Sequence, residues 1–279
     1  MSHHLLTPGP TRVMGIVNVT PDSFSDGGRW FDHAAAIAHA RSLVADGASI
    51  VDVGGESTRP GAERVDAEEE LRRVKPVIAE LAAAGIAVSV DTTRAEVAAE
   101  AVAVGAQLVN DVSGGLADAQ MLSVVADLDV PWICMHWRGH AAQMVHNAVY
   151  DDVVSEVRDE LAARLEAAIA AGVDEQRIVL DPGLGFAKTG EHNWQLLGRI
   201  DELQSLGRPI LIGASRKRFL GDLLAGRRRP RPPAQRDAAT AAVTALVAAR
   251  GVWGVRTHTA AEHRDAIAVA DQVHARQRG

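Results

Sequence analysis

Ile178-Val179-Leu180-Asp181-Pro182-Gly183-Leu184-Gly185-Phe186 joins three branched apolar residues directly to a carboxylate, a proline and two glycines. The apolar run has the length and composition of a buried parallel strand. Pro182 has no N–H to give a ladder, so the strand is expected to stop at Asp181. An acid then sits at a strand's C-terminal end, beside a tight glycine loop and an aromatic ring. Such an acid either caps a connection or reads a ligand, and the surrounding sequence decides between the two.

The same pattern recurs along the chain. Apolar, β-branched runs ending in polar residues stand at 13–18, 49–54, 86–91, 108–111, 131–136, 209–213 and 252–256. Between them lie Ala-rich amphipathic segments with helix punctuation. Asp66 and Thr93 each stand three residues before a Glu, the spacing of an N-terminal cap, ahead of helices closed by Gly85 and Gly105. Pro76 is expected to kink the first of these. Further helices are expected over 32–47, 118–127, 150–172, 193–206, 216–224, 235–251 and 260–275. Eight strand–helix units with no shift of composition predict one (β/α)8 TIM barrel spanning residues 1–279, with 1–11 as a loose N-terminal segment. An open doubly wound sheet is the alternative.

Net charge −7 argues against a nucleic-acid partner, and no apolar run approaches a membrane span. The single cysteine, Cys134, excludes an internal disulfide and suits a reducing cytoplasm. The N-terminus shows no secretory pattern. The basic stretch Arg227–Pro233 reads as a proline-rich connection.

In a barrel the strand C-termini gather at one rim, where the site is built. This places Asn18, Asp91, Asn110, Asp111, His136, Asp181, Lys217, Arg256 and His258 together, with long Gly-rich loops at 20–28 and 54–61. Asp91, Asn110 and Asp181 would accept hydrogen bonds from the N–H edge of a flat heterocycle, with Lys217 donating to its acceptor side. Phe186 could cover an aromatic face. Arg256 and His258 follow strand eight, where barrels commonly hold phosphate. Asn18 offers a neutral oxygen to Mg²⁺ on that phosphate. Arg216, Lys217 and Arg218 oppose the dipole of the helix they open, which an electron-rich ligand would explain. His136 reads as a hydrogen-bonded rim residue rather than a metal ligand.

The blocks Met14–Gly28 (MGIVNVTPDSFSDGG), Asp52–Ala62 (DVGGESTRPGA), Asp91-Thr92, Asn110–Gly115 (NDVSGG), Asp181–Phe186, Ser215-Arg216-Lys217 and Arg256-Thr257-His258 resemble, in order, the signatures of the dihydropteroate synthase family. That resemblance implies condensation of 6-hydroxymethyl-7,8-dihydropterin pyrophosphate with 4-aminobenzoate, a Mg²⁺ requirement, inhibition by sulfonamides and a homodimer. By position it implies a pterin site of Asp91, Asn110, Val112, Met135, Asp181, Gly185 and Lys217. Thr58, Arg59, Pro60, Phe186, Ser215 and Arg218 would line the aminobenzoate side, and Asn18, Arg256 and His258 the pyrophosphate and metal. Asp26, on the first loop, joins Asp91, Asp181, Lys217, Arg256 and His258 in the catalytic set. Arg218 departs from the small hydroxyl residue common in the family, which leaves open what holds the aminobenzoate carboxylate. Two rivals share the pterin edge: a methyltetrahydrofolate-dependent corrinoid methyltransferase, and a non-catalytic pterin-binding paralogue.

Overall fold

The structure, a computed structural model, describes residues 5–20, 33–56, 65–139, 147–226 and 229–277. Among them, parallel strands alternate with helices: β1 (Arg12–Asn18), α1 (His33–Ala45), β2 (Ile50–Gly54), α2 (Ala67–Ala83), β3 (Val88–Asp91), α3 (Ala95–Ala103), β4 (Leu108–Asp111), α4 (Met121–Leu128), β5 (Trp132–Met135) and α5 (Val153–Ala170). Then follow β6 (Ile178–Asp181), α6 (Gly190–Gly198), α7 (Ile200–Gln204), β7 (Leu211–Ile212), α8 (Arg218–Leu223), α9 (Asp237–Ala248), β8 (Gly254–Thr257) and α10 (Ala261–Gln277). Ladder pairing runs β6-β5-β4-β3-β2-β1-β8-β7. A bridge between Leu180 and Ile210, with Leu180 N–H donating to Pro209 O at 2.8 Å, joins β6 to β7 and closes the ring. The chain is a (β/α)8 barrel, and the open sheet is excluded. β6 ends at Asp181, as Pro182 requires.

Both faces of the strands are buried, one against the helices and one inside the barrel, which is why the sequence shows continuous apolar runs rather than alternation. The interior is layered. Following the register around the ring, each step to the next strand climbs one residue, so alternate strands contribute side chains at one height. Ile50 of β2, Leu108 of β4 and Val179 of β6 share the floor, with Met14, Ile133 and Leu211 from the odd strands just above. Two residues further up, these three strands carry Asp52, Asn110 and Asp181, and β8 adds Arg256 at the same height. The next odd-strand layer holds Asp91 and Met135. Apart from Ser89 on β3, the lower layers are apolar, and the polar groups gather in the layers above.

Some local expectations hold and others are corrected. Residues 5–11 are not loose: Leu5 is buried against the floor residues, and its carbonyl accepts from Trp253 Nε1 at 2.9 Å. Asp66 caps α2 through Glu69 N–H, and that helix runs through Pro76 without ending. Thr93 does not cap α3; the Ala95 N–H is taken by Asp118 Oδ2, reaching from the next connection at 2.8 Å. The helix expected over 193–206 is two helices. The first starts earlier, at a Thr189–His192 capping box, and both break at Arg199, whose guanidinium is held by Asp152 and Glu202. No helix among the described residues is long and apolar enough to cross a membrane.

Candidate active site

The polar layer is wired together. Asp52, fully buried on β2, accepts through Oδ2 from Asn110 Nδ2 at 2.9 Å and from Arg256 Nε at 2.6 Å. Arg256 Nη2 reaches on to Asp91 Oδ2, also at 2.6 Å. The contact with Asp52 fixes the orientation of the Asn110 amide, so its carbonyl oxygen is the end left open among the described residues. Asp91 likewise has Oδ2 committed and Oδ1 without a bond among the described residues. Asp181 repeats the pattern: its Oδ1 accepts from Gly183 N–H at 2.7 Å, leaving Oδ2. Three strand-end groups are thus each tied by one atom and each keep one acceptor oxygen.

The loop after β6 turns on two glycines. Gly183 has φ +67°, and a Cβ there would meet the His136 carbonyl at 2.5 Å. Gly185 has φ +77°, and a Cβ there would strike Lys217 Cδ at 2.9 Å. Gly185 is therefore the space through which the Lys217 stem runs, and its N–H is anchored on Asn193 Oδ1 at 2.7 Å. Lys217 Nζ donates to Leu184 O and sits 4.5 Å from the centre of the Phe186 ring, a cation–π contact. The loop carries Phe186 and the lysine together. Met135 is buried at the end of β5, and Val112 follows the Asp111 turn. Asp111 itself is structural, accepting from Ser113 N–H, Ser113 Oγ and Gly115 N–H.

On the β7–β8 side, Ser215 Oγ lies 2.9 Å from His258 Nδ1 and accepts from the His258 N–H at 3.1 Å. The basic triplet splits. Arg216 pairs with Asp237 at 2.7 Å, and Arg218 has an 85 % exposed side chain with Asp222 its ion-pair partner at 3.5 Å. Lys217 alone of the three reaches Phe186 and the loop after β6, while the two arginines have acidic partners of their own on the protein. Asn18 ends β1, half-buried, in register with Gly54. Asp26, Thr58, Arg59, Pro60 and the loop segments around them lie outside the described residues.

Burial sets the electrostatics. Asp91 is pushed up to about 7, chiefly by desolvation, with Asp52 adding to the rise and Arg256 opposing it. Asp181 is also raised by burial, against the pull of Lys217. Lys217 is lowered to about 8, again by burial, with Asp181 holding it up. Arg256 is held above its ordinary value: burial opposes the charge, but Asp52 and Asp91 outweigh it. Because Asp91 titrates higher folded than unfolded, the native state binds the extra proton between about pH 4 and 7, and stability falls as pH rises through that window. In Asp52→Asn one like charge is gone, so the slope of melting temperature against pH over 4–7 is expected to be shallower than in the wild type. An unchanged slope would assign the whole shift to burial.

Asp52 is a site residue that the sequence does not reveal on its own. It lies two residues below the end of β2, and only the barrel's stagger lifts it level with Asn110. Its acidic character within an apolar run was the available signal. Lys188 was also missed: it is lowered to about 7 by burial, and its Nζ lies 3.0 Å from His136 Nδ1 and donates to Phe186 O at 3.1 Å. His136 is buried and held by Glu160 at 2.9 Å, the hydrogen-bonded rim residue expected. Arg94 binds Glu56, Glu70 and the Val65 carbonyl, tying both stems of the second loop.

Comparison with known proteins agrees with this geometry. Residues 14–258 match the pterin binding enzyme family. A dihydropteroate synthase of Mycobacterium leprae (strain TN) is 56% identical over 262 residues, covering 93% of this chain and 92% of that protein. The structure of Xanthomonas albilineans dihydropteroate synthase with 4-aminobenzoic acid superposes with a TM-score of 0.87 at 48% identity, covering 96% of this chain and 94% of that one. The Yersinia pestis dihydropteroate synthase in complex with a sulfonamide drug gives 0.88 at 38% identity, with 95% of each chain covered. The chain belongs to the pterin binding enzyme family and, within it, to the dihydropteroate synthases.

Proposed function

We propose that the barrel rim joins 6-hydroxymethyl-7,8-dihydropterin pyrophosphate to 4-aminobenzoate, releasing pyrophosphate and forming 7,8-dihydropteroate. The observation that carries this is the trio of open acceptors, Asp91 Oδ1, Asn110 Oδ1 and Asp181 Oδ2, on a rim where Lys217 supplies the donor. An amino-pterin edge presents the matching N–H groups and ring acceptor. Val112 and Met135 flank the ring, and Phe186 faces the second substrate. His258 and Arg256 take the leaving group, with Arg256 Nη1 the guanidinium nitrogen its two acids leave uncommitted.

In the reaction the methylene C–O bond to pyrophosphate breaks and a C–N bond to the arylamine forms, and the amine proton is lost. The arylamine is already neutral at pH 7, so it needs placing rather than deprotonating. As the C–O bond weakens, positive charge develops on the methylene and spreads into the pterin. Asp91 and Asp181, accepting from the ring's N–H edge, favour that charged form over the ground state. Ser215 lies on the aminobenzoate side, where sulfonamides would compete.

Among the described residues no group of three or more His, Cys, Asp and Glu could cage a metal. A single amide oxygen, Asn18, at the rim instead fits Mg²⁺ held mainly by phosphate oxygens. When bound, that ion would neutralise charge on the pyrophosphate. The working unit is proposed to be a cytoplasmic homodimer, consistent with Leu246, Val269 and Val273 exposed on α9 and α10.

Incubation with both substrates and Mg²⁺ is expected to release pyrophosphate and dihydropteroate in equal amounts. Asp181→Ala is expected to weaken pterin binding at least about tenfold in calorimetry, since a charge-assisted hydrogen bond contributes about 1.5–3 kcal/mol. Pterin binding without product would leave a binding protein, and methyl transfer to a corrinoid would replace the reading altogether.

A further inference from the structure

Behind His258 and Ser215 lie two buried hydroxyls and a buried imidazole, Thr257, Thr244 and His263, to which the proposed reaction gives no role. His263, on α10, is fully buried. Its Nδ1 lies 2.7 Å from Thr244 Oγ1 on α9, and its Nε2 lies 2.7 Å from Thr257 Oγ1 on β8. Thr257 Oγ1 is 3.4 Å from Ser215 Oγ, and Ser215 Oγ is 2.9 Å from His258 Nδ1. The path is continuous from the helix layer to the rim.

Its direction follows from its closed end. Thr244 is buried and its hydroxyl has one hydrogen-bond partner among the described residues, so the hydroxyl proton goes to His263 Nδ1; a buried donor left without an acceptor is the costlier defect. Burial lowers the His263 pKa, which keeps the ring neutral with a single proton. With Nδ1 accepting, that proton is on Nε2 and is donated to Thr257 Oγ1. The Thr257 hydroxyl must then donate onward to Ser215. Ser215 Oγ already accepts from Thr257 and from the His258 N–H, so its own proton has His258 Nδ1 as its acceptor.

We infer that His263, acting through Thr257 and Ser215, holds the His258 ring in the tautomer that carries its proton on Nε2. His263 is a positioning residue, touching no reacting atom. Taken with the proposed placement of His258 on the leaving group, on which this consequence rests, the wire presents an N–H donor to a developing oxyanion and disfavours the opposite tautomer, whose bare Nε2 would repel it.

The test is ¹⁵N NMR of protein labelled at histidine, with the His258 signal assigned by its loss in His258→Gln. The wild type is expected to show the Nε2–H form. His263→Met and, with minimal change of shape, Thr257→Val are expected to shift His258 toward Nδ1–H. Pyrophosphate affinity in calorimetry should fall about five- to tenfold, the range set by one weakened hydrogen bond to a charged group. His263→Gln puts an N–H near the place of Nε2 and is expected to keep the wild-type tautomer, whereas His263→Asn reaches only the Thr244 end and is not. A pure packing role would not separate Gln from Asn in this way. A His258 ring that stays Nε2–H in both His263→Met and Thr257→Val overturns the inference. A changed tautomer with undiminished pyrophosphate affinity upholds the wire and removes His258 from the leaving-group contacts.

Discussion

Arg256→Met is expected to cost about 3 kcal/mol or more of stability at neutral pH and to abolish measurable turnover. Arg256 is the cation shared by two buried acids, Asp52 and Asp91, each at 2.6 Å. Methionine fills the volume but leaves the carboxylates facing each other without a counter-charge. The native state's cheapest response is to protonate Asp91, which already titrates near 7 with the arginine present. The deficit is therefore expected to grow as pH rises from 5.5 to 8 and to shrink on acidification, when the proton comes at little cost. Urea melts of both proteins across that range measure it. A deficit independent of pH would mean the side chain's packing, not its charge, is what matters. Arg256→Lys should recover part of the stability but not turnover, because an ammonium is a point donor and cannot span both acids as the Nε–Nη2 edge does.

Lys217→Met is expected to lower kcat/KM by about 10²–10³-fold, the usual loss when an aligned donor is taken from a dry site. Two interactions disappear: the donor facing the ring, and the charge that opposes the rise of Asp181. Asp181 should titrate still higher in the variant. The wild type carries its own diagnostic. Burial brings Lys217 to about 8, so pterin affinity is expected to weaken as pH climbs through that value and the ammonium becomes a weaker neutral donor. In Lys217→Met this step should vanish from a binding titration between pH 7 and 9. If the step persists, another group is responsible for it.

The barrel was legible because strand ends are marked in the sequence by a change from branched apolar to polar residues, and Asp181-Pro182 makes that change abrupt. The rim groups Asp91, Asn110, Asp181, Lys217 and Arg256 were found for the same reason: each stands at or just beyond a strand terminus. Asp52 was not, because height in a barrel is a property of stagger between strands and is not written in any one of them. His263 was hidden differently. It lies on a helix face, and the hydroxyls that make sense of it come from α9, β8 and the β7 loop. The triplet 216–218 could not be sorted from sequence because adjacent residues at a helix start point in different directions: one cation lies over Phe186 while its neighbours bind Asp237 and Asp222. Residues 5–11 misled because a short apolar N-terminal run looks dispensable until the barrel floor it plugs is seen.

The ring of strands is unevenly laced. Between β6 and β7 a single bridge at Leu180 and Ile210 does the work that several register pairs do elsewhere, and β7 has only two residues in the ladder. Asp181 ends the strand on one side of that joint, and Lys217 follows the strand on the other. A ring held by both, as proposed, would cross the seam like a clasp. Substrate free energy would then be spent partly on fastening the scaffold, with occupancy tightening this joint.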